Sequence, residues 1–453
     1  MSSSAWASTR RPILSSYLTL LRRNRNYRLL WAAQIVSELG DWFYSLAVYN
    51  LLLDLTGGKA QAVALAVVLQ VLPSTFASPT AGVLNDRISR KRIMIGADLV
   101  RVFIVLGMLL VRTPSMVWLV YPLLLVETVS AAFFDPARNS VIPNIVPENQ
   151  VLAANALASI TWSFCLAAGA SLGGIAAVWL GRDAVFVLNA CSFLLSAWLI
   201  RRMSFVEPHT AARPPLRVRE LVEFTPILEG MRYIRRDPRL FATVFVKGGL
   251  GLLGAELVLL PILGDRVFPV KLAGLDHSRA SLLGMSMLMG ARGAGSLLGP
   301  LIGGRWAGES HSRMRTGILI GFVIAAAGYV CLGASTSLAI AICAVVAAHA
   351  GSSTNWVFSS TLLQIYTEDR FRGRVFSAEF GISSLVMSAS IYLAGTAIDF
   401  GVPPRAFAAA IGLVMLVPAA AWAVALHRTT PRNVEQVDNL RGDRKSTRLN
   451  SSH

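Results

Sequence analysis

Charge is scarce in this sequence: 15% of its 453 residues are Asp, Glu, Lys or Arg, where a soluble domain has nearer a quarter. Cysteine is scarcer still. Cys165, Cys191, Cys331 and Cys343 lie inside apolar runs with no CxxC spacing, so they read as small core residues and not as a disulfide framework or metal site. No Walker A loop, HExxH, GxSxG or paired His–Asp cluster occurs. Neither an enzyme nor a nucleotide-driven pump is therefore expected within this chain, and no cofactor or metal is called for. Ten-residue segments of alternating polarity are missing too, and with them a transmembrane barrel. No A-x-A-like cleavage site follows the first apolar run, which reads as an uncleaved helix.

What the sequence has is long apolar runs. Hydrophobic residues make up 54% of it, and the stretch from Ala406 to Leu426 carries no charge at all. About 20 apolar residues cross a bilayer as a helix, and only helices or closed barrels satisfy their backbone there. The pattern predicts an all-α membrane protein with twelve spans, near 29–54, 61–84, 93–113, 116–134, 151–180, 183–203, 241–264, 279–304, 315–335, 338–363, 375–400 and 404–427. Residues 1–28 form an N-terminal segment, 29–203 and 241–427 two six-helix bundles, 204–240 the loop between them, and 428–453 a tail. With the N-terminus inside, 29 Lys and Arg fall on cytoplasmic segments and 7 on external loops. That asymmetry predicts a bacterial inner-membrane protein with both termini in the cytoplasm. The formal charge of +17 then reports topology and contact with the lipid bilayer, and nucleic-acid binding need not be invoked.

In the central loop, Val218 to Arg236 sets Leu221, Phe224, Leu228, Met231 and Ile234 at helical spacing between charges. It reads as a basic amphipathic helix at the cytoplasmic interface, kinked or interrupted at Pro226. The last eleven residues, DRKSTRLNSSH at 443–453, read as an in-frame translated sequencing adapter and are set aside.

The two halves echo each other. Asn26-Tyr-Arg-Leu-Leu30 resembles Asp237-Pro-Arg-Leu-Phe241, Pro79-Thr-Ala-Gly82 resembles Pro300-Leu-Ile-Gly303, and Ile142 to Glu148 resembles Leu363 to Asp369, at offsets of 211, 221 and 221. Their common register points to a six-plus-six duplication.

Between spans 2 and 3 stands Gly82-Val-Leu-Asn-Asp86-Arg87-Ile-Ser-Arg90-Lys91-Arg92. Gly82 permits close helix approach, Asp86 can cap a neighbouring helix start, and Arg87, Arg90 and Lys91 suit the headgroup region. The run resembles the major facilitator signature G-x-L-x-D-R-x-G-R-[KR], with Ser89 at the second glycine. Ile35 to Trp42 in span 1, Phe134-Asp-Pro-Ala-Arg138 after span 4, and Arg372-Gly-Arg-Val375 before span 11 are similar to the enterobactin-exporter and macrolide-efflux (transmembrane secretion effector) branch. The resemblance implies the major facilitator fold, with a site between parallel halves. It also implies a loop that latches span 2 against span 11, with Asp86 facing Arg374. Gly169-Ala-Ser-Leu-Gly173-Gly174 is similar to the antiporter motif G-P-x-x-G-G, with Ala170 replacing its proline. The arginine of the R-x-x-Q-G motif is missing from span 4.

Ionisable residues inside spans are costly and usually face a cavity or a partner. Glu38 and Asp41 share one face of span 1, with Gln34 a turn back, and are the first candidates for a proton or cation-substrate site; the alternative is a structural pairing with span 7. Glu127 in span 4 is the second candidate, with no arginine expected in its own helix. Asp98 and Arg101 read as an internal ion pair. In span 7, Lys247 is expected to snorkel toward the cytoplasm, while Glu256 lies deeper as a cavity carboxylate. Arg292, among Gly290, Gly293 and Gly295, can pair with such a carboxylate or bind an anion. His349 reads as a helix contact, and Glu379 and Asp399 as gate or interface groups. The resulting expectation is a transporter, functional as a monomer, that exports amphipathic small molecules of the drug or siderophore class against inward proton movement. The alternative is an importer or facilitator on the same fold.

Overall fold

Residues that accept a backbone N–H mark where six of the helices begin. In the computed structural model, which describes residues 13–85, 87–147, 150–207, 225–270, 272–308 and 310–429, Asn24, Ser89, Asp237, Asp276, Ser310 and Ser337 all cap helix starts in this way. Each satisfies one of the donors that a helix N-terminus leaves unpaired. The helices are α1 (Ile13–Arg23), α2 (Arg25–Thr56), α3 (Ala60–Asn85), α4 (Arg90–Gly107), α5 (Val120–Ile145), α6 (Val151–Leu180) and α7 (Arg182–Arg201). Then follow α8 (Thr225–Ile234), α9 (Pro238–Gly251), α10 (Glu256–Arg266), α11 (His277–Ala307), α12 (His311–Ala334), α13 (Leu338–Tyr366), α14 (Asp369–Asp399) and α15 (Pro404–Thr429). All regular structure among the described residues is helical. Ten helical segments are long and apolar enough to cross a membrane; α2 and α11, at 32 and 31 residues, are long enough but are not among them.

Two boundaries differ from the sequence reading. The fourth span does not stop at 134: α5 continues through Pro136 and Pro143 to Ile145, so Asp135 and Arg138 are helical. Proline is tolerated there because side chains and neighbouring helices take up the freed backbone groups. Pro226 does not interrupt the described part of the amphipathic helix; it occupies the first turn of α8, where its missing N–H costs nothing. Residues 218–224 of that expected helix, and 443–453, lie outside the described residues.

Helices α2–α7 and α9–α15 meet along two seams, α6 against α11 and α3 against α14. Small residues allow the first: a Cβ on Gly293 would lie 2.4 Å from Ala167 Cα, and one on Gly174 1.7 Å from Ser286 Oγ. At the end holding the Gly57 and Gly401 turns, buried residues of both sets, such as Leu52, Val63, Leu259 and Ile398, share one apolar core. At the signature-loop end the core divides. Leu20, Met94 and Ile142 belong to one cluster, and Ile234, Leu240 and Val375 to another. Among the described residues the buried apolar core is thus shared by the halves at one end and divided between them at the other.

Candidate functional site

In the first half, charged groups from α2, α4 and α5 converge, joined by the polar Asn189 and Ser196 of α7. Gln34 and Glu38 lie one turn apart on α2, and Gln34 Nε2 donates to Glu38 Oε1 at 2.9 Å. The same Glu38 oxygen is 3.3 Å from Arg138 Nη1 on α5, whose other nitrogen is 3.5 Å from Asp135. Arg138 therefore sits in the helix of Glu127, contrary to the expectation that this helix has no arginine, and Glu38 pairs with span 4 and not span 7. Asp41 faces Asn189 of α7 and lies within electrostatic reach of Arg101. Glu127 faces the Tyr44 hydroxyl, with Asp41 and Arg101 also in range. One oxygen of each acid, Glu38 Oε2, Asp41 Oδ1 and Glu127 Oε2, is buried without a hydrogen-bond partner.

Asp98 and Arg101 are 3.8 Å apart and buried. Ser196 Oγ donates to Asp98 at 2.7 Å, and the guanidinium lies 5.2 Å from the rings of both Phe134 and Phe193. Four carboxylates (Glu38, Asp41, Asp98 and Glu127) thus share two guanidiniums, Arg101 buried and Arg138 half-buried. Unpaired charge in such surroundings costs several kcal/mol, so the cluster is short of positive charge.

The second half resolves the same problem differently. A 3₁₀ turn, Leu252–Ala255, separates α9 from α10 and sets Glu256 at the break. The turn fits because Gly254 presses on Met387 and Ser390 Oγ donates to Gly251 O at 3.0 Å. Glu256 Oε1 accepts from Arg292 Nε at 2.9 Å, and Oε2 meets His349 Nε2 at 2.5 Å and the Tyr329 hydroxyl. Tyr329 and His349 also contact each other at 3.1 Å. Gly295 positions the histidine, since a Cβ there would lie 2.8 Å from that of His349. Glu256 therefore has a full set of donors. Sequence spacing did not reveal Tyr329, which reads in sequence as one more core aromatic.

Lys247 does not snorkel. Its Nζ lies 3.2 Å from Glu379, both groups almost fully buried, and 4.2 Å from the Trp356 ring. A carboxylate 132 residues away draws the ammonium inward.

Two basic residues of the signature loop bond carbonyls of the first half. Arg90 donates to Ser140 O at 2.9 Å, and Lys91 Nζ to Met203 O at 2.6 Å. Ser89, at the position of the second glycine, caps α4, and Glu207 joins it by accepting from Ser89 Oγ at 2.5 Å and Arg90 N at 2.8 Å. Glu207 was missed because nothing in the sequence links it to residue 89. Asp86 lies outside the described residues. Arg374, its expected partner, pairs with Glu229 of α8 at 3.0 Å. A Cβ on Gly82 would meet nothing within 4 Å, so no close helix approach uses that glycine here. The motif glycines divide their neighbours: Gly169 and Gly173 press on Trp42 and Phe43 of α2, and Gly174 on Ser286 of α11.

At the joined end, Asp399 of α14 accepts from Ala60 N and Gln61 N at 2.9 and 2.8 Å, capping α3 from the other half. Arg266 lies 3.6 Å from Asp399 and donates to Gly58 O. Ser278 bonds Asp54 at 2.8 Å and Asn50 at 3.1 Å.

A family model described as transmembrane secretion effector matches residues 15–450. Macrolide efflux protein A of Streptococcus pyogenes is 27% identical over 84% of this chain and 92% of its own length. The uncharacterized MFS-type transporter YfiS of Bacillus subtilis is 29% identical over 63% of this chain and 65% of its own, just under two thirds. Among solved structures, a POT family transporter in complex with a thioalcohol-conjugated peptide superposes with a TM-score of 0.71 at 12% identity, over 92% of this chain and all of that one. That likeness concerns the fold.

Proposed function

The chain belongs to the transmembrane secretion effector family of major facilitator transporters, and on that footing we propose that it exports amphipathic small molecules in exchange for protons. It is a multi-pass membrane transporter and not an enzyme. Export is favoured because the relative aligned over most of both chains is an efflux protein by name. The proposal takes α2 and α11 as the two spans that complete a set of twelve. It puts both termini in the cytoplasm, in a bacterial inner membrane, because the basic residues concentrate on that side. Residues 29–203 and 241–427 are the moving halves, 204–240 joins them, and one chain suffices.

One observation carries the coupling: four carboxylates, Asp98 buried and the other three half-buried with one oxygen each shut off from solvent, share two guanidiniums in the first half. A proton on Asp41, Glu38 or Glu127 supplies the missing positive charge, and so does a cationic or hydrogen-bonding substrate. Competition between the two for one site couples their movements, since each binds better when the other has left. Glu256 and Arg292 line the opposing half as a polar wall. The described apolar core is divided between the halves at the signature-loop end, which favours entry of substrate from the cytoplasm. Outward release then requires breaking the Asp399 cap and the Ser278 bonds at the other end, by rocking of the halves.

The test is efflux from energised cells preloaded with ethidium and a panel of amphipathic drugs. Protonophore-sensitive efflux that needs this protein is expected. Efflux that persists unchanged after the proton gradient is collapsed contradicts proton coupling.

A further inference from the structure

A groove on the second half has a different character from the path between the halves. It encloses about 440 Å³ between α8, α9, α14 and α15, and none of the residues lining it comes from the first half. Its walls are apolar, with Phe241, Phe245, Val386 and Val417 among them, and Arg235 at one edge is its charged lining residue. Phe241, Phe245 and Val417 are each at least half exposed. In a membrane-spanning bundle such a surface meets lipid.

The groove exists because residue 248 has no side chain. A Cβ on Gly249 would lie 2.6 Å from Pro418 Cβ, so helix packing requires that glycine; a Cβ on Gly248 would meet nothing within 4 Å. Packing gives no reason for the second glycine, and its effect is to leave space. Helix α8 closes the groove at the end that carries charge. Its Ile234 is buried, and Gly230 lets it press on α14, where a Cβ would lie 2.1 Å from Arg374 O. Arg232, Arg235 and Arg236 are exposed at this end. Among the described residues none of the three has a carboxylate partner.

An apolar slot with arginines at one end suits a molecule with a long chain and a negative head. We infer that this groove binds an anionic phospholipid, with an acyl chain between α9, α14 and α15 and its phosphate on Arg235. Arginine presents planar paired donors to phosphate oxygens, while three cations repel the ammonium of a zwitterionic headgroup and any cationic drug. The inference is independent of export and coupling; only the leaflet, the cytoplasmic one, follows from the orientation proposed above.

Native mass spectrometry of the full-length protein in mild detergent tests it. Phosphatidylglycerol and phosphatidylcholine with identical chains are titrated separately. The first is expected to bind as one tightly held molecule, and the second several-fold more weakly. Gly248→Leu fills the slot and should remove that molecule. Arg235→Gln should weaken it roughly fivefold, the effect of one arginine at a membrane surface, and erase the preference over phosphatidylcholine. Val323→Leu, at an exposed site on α12, should change nothing. If Gly248→Leu fails to elute as a single species, Arg235→Gln alone decides, because it touches no packed contact. Equal retention of both lipids, or undiminished phosphatidylglycerol in Arg235→Gln, overturns the assignment. Displacement of the bound lipid by an exported drug would overturn it too, making the groove a substrate entry.

Discussion

Arg292 Nε lies 2.9 Å from Glu256 Oε1, whereas a carboxylate–guanidinium pair in the first half, Arg138 and Glu38, is looser at 3.3 Å. The tighter pair is one corner of a network that also includes His349 and Tyr329; the looser one is a single arginine shared by two acids, Glu38 and Asp135. The two halves distribute their charge unequally. The account assigns stability to the second half and exchange to the first.

Breaking the tight pair should therefore cost stability. Arg292→Met leaves a buried carboxylate without its guanidinium, and a loss of about 3 kcal/mol is expected. Adding Glu256→Gln should recover part of it. Thermal melting of the purified protein measures both, and a double variant less stable than Arg292→Met would mean the pair is not the relevant contact.

The helices were legible in the sequence because long apolar runs have no other stable state in lipid. The pairings were not. Glu38 and Arg138 are 100 residues apart, and Phe134-Asp-Pro-Ala-Arg138 looked like a helix end because proline usually ends helices in water. Lys247 looked like a snorkelling residue since its partner, Glu379, lies five helices further on, in α14. The cap of α3 by Asp399 depends on how the halves meet, which no local pattern encodes. Asp41 and Glu127 were visible as charges in apolar runs, but their shortage of partners emerges only when α2, α4, α5 and α7 are brought together.

The first turn of α4 rests on Glu207 more than on Ser89. Ser89→Gly should cost only a few tenths of a kcal/mol, as glycine is a tolerable cap. Glu207→Gln removes a negative charge from a helix N-terminus and should cost up to about 1 kcal/mol. Hydrogen exchange over residues 87–93 should rise more in the second variant. The reverse ranking would make Glu207 a bystander.

Closure at the joined end depends on Gly395. A Cβ there would lie 2.5 Å from Ala64 Cβ and 3.0 Å from Gln61 Cα, so Gly395→Leu should hold α14 away from α3. Spin labels at Lys59→Cys and Val402→Cys, in a chain lacking its four native cysteines, should report a longer distance in that variant. An unchanged distance would show that the seam yields elsewhere.

For the signature loop, Asp86→Ala is expected to slow the conformational cycle while leaving equilibrium substrate binding nearly intact. Turnover and binding measured on the same preparation separate the two effects. A large loss of binding counts against a latch.

The central claim is that the carboxylate surplus around Asp41 couples protons to export. Asp41→Asn keeps the shape of the side chain and removes its charge. The decisive measurement is drug efflux driven by an imposed pH gradient in vesicles containing equal amounts of inserted wild type or Asp41→Asn. The account predicts gradient-driven efflux by the wild type and none by the variant. Undiminished gradient-driven efflux by Asp41→Asn would contradict it.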